Sequence, residues 1–263
     1  MVKLALNITL VAYLAASLMH IVYLVHRKPL LSILAYVMVG IGLMVHTTSI
    51  GLRASETGHG PYTTTFEATM FFSWVIVVGF LLTQVKYKLK DLGSFVMPIA
   101  FLILLYSVSL SKEILAVPDS DYRVWITMHR TLSMMGFAAF ALAFGAGLMY
   151  LIQENQLKTK KLGIMHFRMP SLEVLDNLIY KVVAIGFPLF TLGFMTGAIW
   201  NVQTTQNSFF SWDVVKTWPL VIGWLIYGSV FFGRLTVGLR GKKAAQGSII
   251  GFAAVICTYF LHV

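Results

Sequence analysis

An all-α integral membrane protein, one bundle of about eight transmembrane helices, is the fold class this sequence predicts. Three observations carry it. Of 263 residues, 58% are hydrophobic and only 11% charged, and the mean hydropathy is +0.79, far outside the usual make-up of soluble domains. Apolar runs of the roughly 20 residues that span a bilayer recur along the whole chain. Basic residues cluster in alternate connections between those runs, as cytoplasmic loops require.

The runs fall at 4–25, 30–52, 66–85, 93–110, 124–152, 177–200, 214–233 and 244–262. The first lacks the small-residue cleavage site of a signal peptide and is expected to be a retained span. The second leads into a tight turn marked by Gly58, Gly60 and Pro61,. Thr65 to Glu67 opens the third, where a carboxylate caps a helix and favours its N-terminus by about 0.3–1 kcal/mol. The fourth is short and contains Pro98. Small residues crowd the fifth, in "GFAAFALAFGAG" (136–147), and let a neighbouring helix approach closely. After a cytoplasmic stretch at 153–176, too short for a domain, come the last three runs. Lys181 and Lys216 lie near span ends and can snorkel. All eight are expected to form a single domain over 1–263.

Orientation follows from the loops. Arg27, Lys28, Lys86, Lys88, Lys90, Lys158, Lys160, Lys161, Arg168, Arg234, Arg240, Lys242 and Lys243 follow odd-numbered spans; these are thirteen of the twenty basic residues. The positive-inside rule then places both termini, and the loops 53–65, 111–123 and 201–213, on the external side. The net charge of +10 is accounted for by these loops and their attraction to anionic membrane lipid, so nucleic acid is not an expected partner. The single cysteine, Cys257, lies inside the last span, which excludes an intramolecular disulfide and any Cys-x-x-Cys chemistry,.

Seven histidines are present, and this topology sorts them. His26 and His166 fall in cytoplasmic loops, and His20 lies near the cytoplasmic end of the first span. His46, His59, His129 and His262 gather toward the external side. His46 stands six residues before the end of the second run and His129 five after the start of the fifth, each roughly 8–9 Å deep at 1.5 Å per residue. Two imidazoles at one depth on different helices match a bis-histidine iron site. Ser133, Gly136 and Ala143 share a face of the fifth run with His129 and would leave space for a flat macrocycle. Arg53 and Arg130 stand where they would pair with porphyrin carboxylates. Simpler roles remain open for all of them: interfacial histidines, helix-packing small residues, and an aromatic belt of Trp200, Trp212 and Trp218 with Asp213 as a cap.

Three segments in order, "HTTSIGLRASETGHGPYTTTFEATMFFSW" (46–74), "WITMHRTLSMMGFAAFALAFGAGLMYLIQENQLK" (125–158) and "TGAIWNVQTTQNSFFSWDVVKTWPLVIGWLIYG" (196–228), resemble the CcsA/CcmC/HemX superfamily of heme-handling membrane proteins. The third is similar to that family's tryptophan-rich motif, with fewer tryptophans than in dedicated synthetase components; "YLIQENQLK" and eight spans look closest to the HemX-like branch. The resemblance implies b-type heme held near the external face of a bacterial inner membrane. Trp200, Trp212, Asp213 and Trp218 become platform candidates, with Arg53 and Arg130 as propionate contacts. His46 and His129 become the axial ligands, with His262, the one histidine after the motif, as the alternative partner of His129. The implied function is heme handling or delivery for cytochrome c biogenesis, with maturation subunits or an apocytochrome as partners. No bond-making residue is identifiable, so the chain alone is not expected to be an enzyme. The alternative implied by the HemX-like branch is a regulator acting from its cytoplasmic loops on a heme-biosynthesis enzyme, glutamyl-tRNA reductase.

Overall fold

The computed structural model describes residues 1–114, 120–160, 169–205 and 214–261. Among the described residues there are eight α-helices and no strands. Seven of the helices are long and apolar enough to cross a membrane; the protein is a multi-pass helical membrane protein. Most helices run beyond the apolar runs that predict them, because capping, not hydropathy, sets their ends. α1 (Val2–His26) ends on Arg27 in the left-handed region, with φ 56°. α2 (Pro29–Thr57) starts with Pro at its first turn and continues past residue 52 to Gly58, whose φ of 73° closes the helix onto the Ala54 carbonyl, a geometry that suits glycine. α3 (Thr65–Tyr87) begins with a full capping box: the Thr64 hydroxyl accepts from the Glu67 N–H, and the Glu67 side chain reaches back to the cap,.

A single 3-10 turn, Lys90–Leu92, leads into α4 (Gly93–Ser109). α5 (Ser120–Lys158), α6 (Leu172–Thr205), α7 (Val214–Thr236) and α8 (Lys242–Leu261) complete the chain. Pro98, Pro188 and Pro219 lie inside helices α4, α6 and α7. Pro98 therefore does not break the fourth run.

The helices divide into two compact units, α1–α4 and α5–α8. In the first, α1 packs on α2 and α4, and α3 packs on α4 and α2, so four helices close a ring. Its centre is filled by Tyr13, Phe66, Met70, Phe72, Phe80 and Met97, all essentially inaccessible. In the second, α5 packs on α6 and α8, and α7 on α6 and α8. There Phe140 stacks on Tyr227 with ring centroids 3.5 Å apart, and the Tyr227 hydroxyl donates to the Ser248 carbonyl at 2.9 Å. With hydrocarbon on the outside, such packing and hydrogen bonding hold a membrane bundle together, since burying apolar surface from lipid gains little.

Ion pairs tie the ring ends. In the first unit Arg27 meets Asp91 at 2.7 Å. Burial opposes the Arg27 charge, yet Tyr23 and Asp91 more than offset it and raise the guanidinium pKa. In the second, Arg234 donates to Asp176 at 2.5 Å and to Asn177 at 3.2 Å, while Asp176 also accepts the Gly241 N–H at 2.6 Å. One carboxylate thereby joins the start of α6, the end of α7 and the start of α8.

Candidate functional site

His129 is the tenth residue of α5 and lies against α6. Its Nδ1 donates to the Gly193 carbonyl at 2.7 Å, which fixes the tautomer and leaves Nε2 as the lone-pair nitrogen. Only glycine permits this approach: a Cβ built on Gly197, one turn after Gly193, would collide with the imidazole. Ser133, the next residue on that face of α5, fits against Gly193 in the same way. Gly136 continues the seam, where an added Cβ would stand 2.9 Å from that of Phe190 and 3.1 Å from the Gly186 carbonyl. The expected macrocycle space along Ser133 and Gly136 is therefore filled by α6, and Ala143 is fully buried. Small residues there serve close helix packing.

Trp200 is half-buried on α6, three residues beyond Gly197, so it continues the helix face that carries Gly193 and Gly197. Arg130, next to His129, is half-buried and engaged by other groups. Trp218, near the start of α7, is 55% exposed. Trp212, Asp213 and His262 lie outside the described residues.

His46 has a different setting. It is fully buried in the first unit, where Nδ1 shares a hydrogen bond with the Tyr13 hydroxyl of α1 at 3.2 Å. Tyr13 reaches it because Gly42, one turn earlier on α2, leaves room for the phenol; a Cβ there would sit 2.6 Å from the ring. Nε2 has no partner in hydrogen-bonding geometry, although the Met70 backbone of α3 is close enough to act on the ring. Because both helices outrun the predicted spans, His46 stands roughly 16 Å and His129 roughly 13 Å from its helix end.

Arg53 is committed elsewhere. Its Nε donates to Glu67 at 2.8 Å and its two terminal nitrogens to the Lys112 and Glu113 carbonyls at 3.2 and 2.8 Å, with the guanidinium over the Phe66 ring. Glu67 is equally occupied, accepting from the Thr63 and Thr64 N–H groups. All three directions of the Arg53 fork are thus used within the first unit, a geometry that suits a clamp and does not fit a propionate contact. His59 is bound to its own loop, through the Gly60 carbonyl and the Thr63 hydroxyl. Among the described residues, no three His, Cys, Asp or Glu side chains cluster as a bare metal site.

A tautomer-fixed histidine on α5 and a half-buried indole on α6 thus share one helix seam of a polytopic helical membrane protein. Residues 62–262 match the family model described as cytochrome C assembly protein, and the chain belongs to that family. It is 27% identical over 233 residues to the cytochrome c biogenesis protein CcsA of Guillardia theta, covering 81% of this chain and 76% of that protein. For CcsA of Chlamydomonas reinhardtii the identity is 29%, over 85% of this chain and 64% of the relative. For CcsA of Marchantia polymorpha it is 29%, over 89% and 85%.

Proposed function

We propose that this protein is a heme-handling component of cytochrome c assembly. It holds b-type heme near one membrane face and presents it to an apocytochrome or to maturation subunits, whose own cysteines would form the thioether bonds. In this reading the whole chain, 1–263, acts as one domain, placed in the cytoplasmic membrane when the cell is bacterial, and supplies ligands and orientation without a bond-making residue. The observation that carries it is the Nδ1 to Gly193 hydrogen bond, which presets His129 for iron at Nε2,. Trp200 would supply a flat apolar wall on the same seam, and Trp212, Asp213, Trp218 and Arg130 are the further candidates for contact with the ring. The relatives' shared name, CcsA, favours assembly over control of glutamyl-tRNA reductase.

For the second ligand we favour His262 over His46. His129 and His262 both lie in the segment that matches the family, 62–262, whereas His46 precedes it and is enclosed with Tyr13. Heme, if bound, would bring an iron for these two imidazoles to hold. The test is the reduced absorption spectrum of purified variants. His129→Gly and His262→Gly should each lose six-coordination and regain it with free imidazole, while His46→Gly should keep the wild-type spectrum. If His46→Gly is the variant that imidazole rescues, the ligand pair is His46 with His129; if none of the three changes the spectrum, the histidine assignment fails. Deleting the gene should abolish c-type cytochromes and leave glutamyl-tRNA reductase unchanged; the opposite result would support regulation.

A further inference from the structure

His129 and His262 leave the ionisable core of the first unit without a task. That core is patterned. Tyr13, His20 and Arg27 recur every seven residues along α1, which puts them on one helix face about 10 Å apart. Tyr13 and His20 are completely buried, and buried Ser17 stands between them. α2 continues the pattern: His46 meets Tyr13, Tyr36 meets His20 edge to face with ring centroids 5.1 Å apart, and Arg53 stands seven residues beyond His46. An ion pair closes the column at each end, Arg27–Asp91 at one and Arg53–Glu67 at the other.

Three polar atoms in this column are buried without a hydrogen-bond partner, both ring nitrogens of His20 and the Tyr36 hydroxyl, and Nε2 of His46 has only the Met70 backbone near it. Bare interior atoms of this kind are uncommon and ordinarily hold ordered water. Leucine at position 20 would fill the same space without stranding two nitrogens. The groups packed around His20 are Tyr36 of α2, Phe80 of α3, and Gly93 and Ser94 of α4. Tyr23 and Arg27 follow it on α1, and Asp91 precedes α4. No acid stands against the imidazole to hold it charged, so it is suited to pass protons on. Ionisable groups kept inside a membrane bundle are the parts from which proton relays are made.

We propose that the first unit is a transmembrane proton relay, in which waters bound at His20, Tyr36 and His46 link the Arg27–Asp91 end to the Arg53–Glu67 end. At each imidazole a proton binds the bare nitrogen while the opposite N–H releases one to the next water or hydroxyl, and a return of the tautomer resets the ring. Only N–H and O–H bonds form and break, no electron moves, and each proton carries one positive charge across. The relay rests on the assignment of His262, not His46, as the second heme ligand, and needs no cofactor.

The test uses the heme-free full-length protein in liposomes with a trapped pH-sensitive dye and a potassium diffusion potential set by valinomycin. Proton entry should exceed that of empty vesicles by on the order of tenfold, as expected of a continuous buried relay, and fall to the empty-vesicle rate in His20→Leu and His46→Leu. Ser248→Ala, in the second unit, should conduct like wild type. Wild type no faster than empty vesicles, or His20→Leu as fast as wild type, overturns the proposal. Should the leucine variants misfold, judged by helical circular dichroism, 15N-histidine spectra of the wild type decide: the His20 and His46 ring protons must exchange with water, and protection from exchange overturns the relay.

Discussion

Arg53 and Glu67 carry the largest single-residue stake in the first unit, at 5% and 1% side-chain exposure. Removing one partner leaves the other charge buried without its counter-charge,. Glu67→Ala should therefore cost about 3–5 kcal/mol, seen as a fall in melting temperature by circular dichroism in detergent. The Arg53→Met, Glu67→Leu double variant should lose less than the sum of the two single losses, because neither charge is then left unpaired. Tyr13→Phe removes one hydrogen bond and should cost only about 0.5–1.5 kcal/mol. The helix start at Glu67 was legible in the sequence from the run Thr65 to Glu67, although the capping hydroxyl belongs to Thr64. Its ion pair was not, because fourteen residues and a turn separate it from Arg53, and the fork is recognised only once the Lys112 and Glu113 carbonyls arrive. Tyr13 was silent for a similar reason: an aromatic residue in an apolar run gives no sign that it faces a histidine across two helices.

At the scale of elements, the α5–α6 seam decides what His129 can do. The small-residue stripe of α5 was legible; its occupant was not. Gly186, Gly193 and Gly197 acquire meaning only when α6 is laid against α5, where each sits opposite Ala139, Ser133 or His129. Gly193→Val should push the helices apart and cost about 1–3 kcal/mol, the usual penalty of overpacking. Gly197→Ala should displace the imidazole from the Gly193 carbonyl, so on the proposed function the purified variant should carry less heme while keeping its helical content. Gly40→Ala is the matched control, since nothing lies within 4 Å of the added carbon; it should leave both stability and heme content unchanged. Helix positions were readable from hydropathy because each span needs a fixed apolar length. Helix ends were not, because they depend on backbone geometry such as the left-handed Arg27 and Gly58.

For the molecule as a whole, each set of four helices closes on itself: α4 returns to α1, and α8 to α5. A chain interrupted between residues 114 and 120, and co-expressed as two pieces, should therefore still yield two membrane-inserted, protease-resistant products; rapid degradation of either piece would show that its ring does not stand alone. Ring closure also has a consequence for biogenesis. Asp91, the partner that holds Arg27 at the end of α1, leaves the ribosome some sixty residues later. During that interval α1 has α2 beside it, but the side that α4 covers is still open and Arg27 has yet to meet Asp91. The nascent chain must then be sheltered by the insertion machinery until α4 arrives, and a substitution at Asp91 should be felt first as slow release from that machinery and only afterwards as a less stable protein.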